Sequence, residues 1–137
     1  MEYIRFVNAL ISDKDNNILA LWRSDSHPTR PLAIDLPGGG IEKNEETEDA
    51  LVREVNEELG LRVSRKDLKL LYENSQVRNS NEYLVGSLYG IEIAETKPAI
   101  VLSWEHSRYS WVRASELVGF SGFHQEAIDY VLRNTNG

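Results

Sequence analysis

Apolar and polar positions change their spacing several times along the chain, and each change marks an element. Tyr3 to Ser12 is dense in Ile, Phe, Val and Leu, a run that predicts a largely buried strand. Asp13-Lys14-Asp15-Asn16-Asn17 is turn chemistry, and Ile18 to Trp22 follows as the hairpin partner. Ser24 to Leu32, with two prolines, predicts a loop, and Leu36-Pro37-Gly38-Gly39-Gly40 predicts backbone without regular structure. Leu68 to Gln76 and Tyr83 to Ile93 read as two further strands turning at Arg78-Asn79-Ser80-Asn81. Shorter strands are expected around Ile100-Val101-Leu102 and at Tyr109 to Val112.

Two stretches switch to helical spacing. Thr47 to Leu59 predicts a helix with Thr47 as its N-cap, Glu48 and Asp49 at the positive end of the dipole, and Gly60 as the stop. Phe123, Ala127, Ile128, Val131 and Leu132 predict an amphipathic helix at the end of the chain. Strands dominate, with helices in the middle and at the end. The expected class is α/β (α+β), a mixed sheet with helices on its faces, in one domain over residues 1–137.

Length agrees with that picture, since 137 residues make one domain and little more. With 41% hydrophobic and 27% charged residues the chain reads as globular rather than disordered. No apolar run approaches the ~18 residues of a membrane span, so no membrane partner is expected. Met1-Glu2-Tyr3-Ile4-Arg5 opens with an acid and lacks the basic region of a secretion signal. Without cysteine there is no disulfide framework, thiolate metal site or thiol nucleophile, and a reducing cytoplasm is the expected compartment. The net charge of -7, from 22 acids against 15 bases, opposes binding to a phosphate backbone, so nucleic acid is not an expected partner. A phosphorylated small substrate would need a divalent cation between it and the protein.

The chemistry is concentrated in GGIEKNEETEDALVREVNEELGL, residues 39–61. On a wheel with Leu51 at zero and ~100° per residue, Val55, Leu59 and Val52 fall between roughly 0° and 100° and form the core stripe. Glu57, Glu54 and Glu58 fall together at roughly 240° to 340°, with Arg53 beside them near 200°. Such a cluster can be a solvated acidic face. Converging oxygens are also what magnesium takes, completing its shell with waters and substrate phosphates.

This segment resembles the signature of the Nudix hydrolases, Gly-x5-Glu-x7-Arg-Glu-U-x-Glu-Glu-x-Gly-U with U aliphatic. Gly39, Glu45, Arg53, Glu54, Val55, Glu57, Glu58, Gly60 and Leu61 occupy its positions with no departure. The resemblance implies an α/β/α sandwich and a hydrolase, dependent on Mg2+ or Mn2+, of nucleoside diphosphates linked to another moiety. It also implies that Glu54, Glu57 and Glu58, with a backbone carbonyl near Gly38 or Gly39, hold the cation. Glu57 or Glu58 is the expected base. Arg53 would steer a glutamate by charge-assisted hydrogen bonding, and Glu45 would support Arg53 structurally. Gly38 and Gly39 would let backbone approach metal and phosphates closely.

Outside the motif, Ser103-Trp104-Glu105-His106 is similar to a late stretch of many Nudix hydrolases in which a loop glutamate reaches the metal, which makes Glu105 a candidate ligand beside the reading of an exposed loop acid. Arg23, after Trp22, is a candidate for substrate phosphate. His27, His106 and His124 have no mutual spacing that makes a site and read as surface or supporting residues, and Trp104 and Trp111 read as core or loop packing. Nucleoside triphosphates and dinucleotide-like compounds such as sugar nucleotides compete as substrates. The rival class is a Nudix-fold module that senses a nucleotide without cleaving it. A homodimer is allowed.

Overall fold

The computed structural model describes residues 2–120 and 122–135. Within them the elements run β1 (Glu2–Ser12), β2 (Ile18–Arg23), β3 (Ile34–Asp35), β4 (Gly38–Gly40), α1 (Thr47–Leu59), β5 (Lys69–Asn79), β6 (Glu82–Glu92), β7 (His106–Val112) and α2 (Gly122–Thr135). The strands join in one mixed sheet ordered β3-β2-β1-β6-β5, with β4 paired to β1 and β7 paired to β2. β1 and β6 run parallel over their full length, while β5 pairs antiparallel with β6.

β1 explains why the fold has three layers. Successive side chains of a strand point to opposite faces. Val7, Ala9 and Ile11 therefore join Ala50, Leu51, Val55 and Leu59 of α1 in one core, while Leu10 joins Ala127, Ile128 and Val131 of α2 in the other. A strand buried on both faces reads as an apolar run rather than an alternation, as Tyr3 to Ser12 does. Leu51 and Leu59 are fully buried, and each contributes roughly 1.5–3 kcal/mol relative to exposure. The result is an α/β/α sandwich.

Four local expectations change. Gly38–Gly40 is a short strand, because its backbone pairs with Phe6, Val7 and Asn8 of β1. Gly38 has φ +133°, and a Cβ there would lie 2.6 Å from the Asn8 Cα, so only glycine can make this approach. Thr47 is the first helical residue rather than the cap. Its hydroxyl accepts a hydrogen bond from Arg5 Nη2 at 3.0 Å, and Glu46 stands at the cap position without a side-chain bond. The Ile100-Val101-Leu102 segment forms no strand, because its backbone serves α1 instead. Val101 N–H donates to the Leu59 carbonyl at 3.0 Å, and Ser103 N–H to the Glu58 carbonyl at 3.3 Å. These satisfy carbonyls that a helix end leaves without partners. Finally, β7 begins at His106 rather than Tyr109, in register with Arg23 of β2. Gly60 ends α1 in the left-handed conformation (φ 67°), as its position predicts.

Candidate active site

Glu58 is a charged residue in the interior. Its wheel position lies about 20° from Leu51, so the rotation that buries the apolar stripe carries it inward as well. Only 2% of the residue is exposed. Gly38 N–H donates to its Oε1 at 3.0 Å, which ties α1 to β4. Burial, together with the carboxylate of Glu54 in hydrogen-bonding reach, pushes the Glu58 carboxyl up to about 10, against the Gly38 hydrogen bond that favours the ionised form.

Glu54 stands one turn earlier, against Gly39. A Cβ on Gly39 would come 3.0 Å from Glu54 Oε1, so the missing side chain is the space the carboxylate occupies. Arg53 binds the acids around it. Its Nε and Nη2 donate to Glu45 Oε2 and Oε1 at 2.9 and 3.0 Å, a bidentate pair. Its Nη1 donates to Glu54 Oε1 at 3.0 Å and Glu57 Oε2 at 3.4 Å, and Nη2 also reaches the Gly40 carbonyl at 3.4 Å. The Glu45 hydrogen bond, outweighing burial, holds the guanidinium pKa above its ordinary value, and the same bond holds the Glu45 carboxyl below its own.

A cleft of about 350 Å³ opens at Glu58. Gly38, Gly39 and Gly40 line it, together with Phe6, Asn8, Phe123 and His124. The rest of its lining is polar, with Arg23, Arg30, Asp35, His27, Glu105 and His106. Asp35 is buried there, and its Oδ2 meets both His106 Nε2 at 2.9 Å and Arg23 Nε at 3.2 Å. Burial works against its ionisation, but the His106 hydrogen bond and the Arg23 charge prevail and hold its pKa below the ordinary carboxylate value. His106 Nδ1 lies 3.4 Å from Glu58 Oε2. His124 Nε2 donates to Asn8 Oδ1 at 2.9 Å, and burial lowers its pKa although Asp35 pulls the other way.

Of the residues singled out from sequence, Arg23, Gly38, Gly39, Glu58 and Glu105 line the cleft. Glu54 adjoins it through Glu58 and Gly39, whereas Glu57 is 60% exposed on its side chain and held by Arg53. Arg23 is not a free cation, because Asp35 and the Thr29 carbonyl and hydroxyl engage it. Glu105 is half-exposed, 3.8 Å from His27 Nε2. The three histidines converge on the cleft, which their sequence spacing does not reveal. Trp104 is 66% exposed and packs in no core, and the Trp22 ring carries the Arg108 guanidinium at 4.0 Å. Asp35 had one visible signal, an acid between Ile34 and Leu36 in an apolar run; His106 had none.

The donor set suits a divalent cation. Two carboxylates within hydrogen-bonding reach of each other, one of them buried, repel unless a proton or a cation lies between them. Glycine backbone borders both. Among the described residues no three His, Asp or Glu side chains converge closely enough to hold an ion by themselves. Waters and substrate phosphates would complete the shell of a cation such as Mg2+.

A family model described as NUDIX domain matches residues 2–133. Among solved structures, the fold is similar to the MutT protein from Methanosarcina mazei Go1, with a TM-score of 0.81 and 23% identity over 98% of this chain and 96% of that one. It is similar to the E. coli dihydroneopterin triphosphate pyrophosphohydrolase, with a TM-score of 0.73 and 21% identity over 94% and 95%. It is also similar to a C. elegans Ap4A hydrolase in a binary complex, with a TM-score of 0.68 and 16% identity over 98% of each chain. At these identities the likeness speaks for the fold alone.

Proposed function

The chain belongs to the Nudix family, and from that premise we propose that it is a divalent-cation-dependent pyrophosphohydrolase acting on a nucleoside diphosphate linked to a further moiety. The observation that supports this most is the meeting of Glu54 and Glu58 against the Gly38-Gly39 backbone at the mouth of a cleft. Glu54, Glu57 and Glu58, the Gly39 carbonyl and, from the loop before β7, Glu105 would hold Mg2+ or Mn2+. When bound, the cation neutralises charge on the phosphate oxygens and makes its water more acidic.

The protein's own groups then divide the work. Glu58 is buried with Oε1 committed to Gly38, which suits a ligand rather than a proton carrier. Glu57 is open to solvent and engaged only by Arg53 among the described contacts, so it is the freer of the two to take a proton from water. Arg53 sets the orientation of Glu54 and Glu57 while Glu45 anchors Arg53. Arg23 and Arg30 put positive charge on the polar wall, where a substrate phosphate would lie. Phe6 and Phe123, edge to face at 4.9 Å, give the cleft an apolar surface for a ring.

A triphosphate and a dinucleoside polyphosphate appear in the names of two structural neighbours, and both classes join sugar nucleotides as candidate substrates. No helix among the described residues is long and apolar enough to cross a membrane; a reducing cytoplasm is the compartment we propose. A panel of nucleoside triphosphates, sugar nucleotides, dinucleoside polyphosphates and ADP-ribose, read by release of phosphate or nucleotide with Mg2+ and Mn2+, tests the reading. Metal-dependent cleavage of at least one class is expected. Nucleotide binding without cleavage of any would replace the enzyme with a sensor.

A further inference from the structure

Glu58 is held from two sides, by the glycine strand β4 and by β7. Oε1 takes the Gly38 N–H, whereas Oε2 faces His106 Nδ1 at 3.4 Å. His106 comes from the start of β7, outside the motif, and its side chain is 1% exposed. Its Nδ1 has no hydrogen-bond partner, so Glu58 is the group it addresses. The ring cannot turn away, because Nε2 is bound at 2.9 Å to Asp35, a carboxylate that only accepts, so Nε2 carries a proton; Nδ1 then meets Glu58 Oε2 through a second proton, held by the ring or by the carboxyl. Asp35 is itself fixed by Arg23 at 3.2 Å. A chain of buried contacts thus runs from the polar wall of the cleft to the carboxylate of α1.

We infer that Asp35 and His106 are positioning residues, which hold the Glu58 carboxylate in the orientation from which it serves the cation site. This rests on the reading of α1 as a cation platform. Each acts through Glu58. Partners of this kind that orient a ligand change metal affinity by roughly 10 to 100-fold when removed.

Two variants separate the ring's contacts. In His106→Gln the amide reaches the Nε2 position and can keep Asp35, but the group facing Glu58 is lost. In His106→Asn the amide occupies the Nδ1 position and keeps a polar partner for Glu58. The readout is binding of Mn2+ alone, followed by paramagnetic resonance of the free ion, with the thermal melt of each metal-free protein alongside. His106→Gln should weaken Mn2+ binding by about 10 to 100-fold, and His106→Asn should recover much of it. On a substrate found by the panel, kcat should fall with KM little changed. Asp35→Asn, which keeps the volume and loosens the ring, should shift Mn2+ affinity in the same direction if His106→Gln does not fold. Parent-like Mn2+ affinity in all folded variants would overturn the positioning role while leaving the cation site standing. A parent protein that binds no Mn2+ would overturn the cation platform itself, and this inference with it.

Discussion

Glu58 and Gly38 are joined at 3.0 Å across 20 residues of sequence, a glycine amide donating to a carboxylate that has been carried into the interior. One donor does not replace the water such a carboxylate loses, which is why its proton is held so far above the ordinary range. Three neighbouring acids, Glu54, Glu57 and Glu45, are balanced by Arg53 instead. Glu58 has no such guanidinium, and its meeting with Glu54 is left for a proton or a cation to relieve.

The metal-free protein should therefore lose stability as pH rises. Between the ordinary carboxyl value of 4.5 and about 10, folded Glu58 holds a proton that the unfolded chain has released. Folding takes up that proton, so its contribution is complete below 4.5 and is progressively lost toward 10. Asp35 and Glu45, with lowered values, act in the opposite direction only in acid, where their contribution is lost as pH falls. Thermal melts in chelator at about pH 6 and about pH 9 should show the decline, and millimolar Mg2+ or Mn2+ should raise the midpoint and flatten the slope. A melt insensitive to metal at both values would contradict this.

Three consecutive glycines should give three different outcomes on replacement by alanine. At Gly38 the new Cβ meets β1 backbone in a conformation alanine avoids, so the fold should lose several kcal/mol, on the order of 3 or more. At Gly39 it meets Glu54 Oε1, the mobile end of a side chain. The fold should survive, and turnover should fall by about 10²-fold through displacement of the carboxylate. Gly40 has nothing within 4 Å, and its variant should stay within about 1 kcal/mol of the parent. Melts and initial rates of the three proteins decide it; a Gly39→Ala enzyme with parental turnover would remove Glu54 from the site.

Arg53→Lys should be costly despite keeping the charge. Lysine cannot make the bidentate contact with Glu45 while also reaching Glu54 and Glu57. A stability loss of roughly 1–3 kcal/mol and a drop in kcat of about 10²-fold are expected. Equal losses in the Lys and Ala variants would show that the fork, not the charge, is what matters, whereas a fully active Lys variant would refute the orienting role.

Glu105→Gln tests the loop before β7. Glu105 is half-exposed and contributes no core contact, so the melt should be unchanged while metal-dependent turnover weakens. Parental kinetics would return Glu105 to an exposed loop acid.

Much of this site could be read before any coordinates because it lies in one helix. A wheel places Glu54, Glu57 and Glu58 together whatever the tertiary structure, and α1 has the bounds its pattern predicts. The same wheel put Glu58 beside Leu51, yet charge alone made it look solvated. Burial follows from position, and what makes burial tolerable, the Gly38 amide, comes from another strand. Asp35 and His106 lie 71 residues apart and meet only because β2 pairs with both β3 and β7. No local pattern encodes that meeting. The glycine strand is invisible in the sequence for a related reason, since its pairing with β1 uses backbone alone.

The most direct measurement is Glu58→Gln, assayed for metal-free stability and for metal-dependent turnover in the same preparation. Glutamine keeps the volume, can still accept the Gly38 N–H, and leaves Leu51, Val55 and Leu59 untouched. Because glutamine needs no proton uptake on folding, the metal-free protein at about pH 8 should be more stable than the parent, by roughly 1–3 kcal/mol. Turnover should nevertheless fall by at least about 10²-fold, since losing a ligand costs no less than losing a group that orients one, with partial recovery at high Mn2+. A metal-free protein clearly destabilised by the change, with turnover barely affected, would mean that Glu58 makes a structural contact and that the acidic face of α1 is not a cation platform.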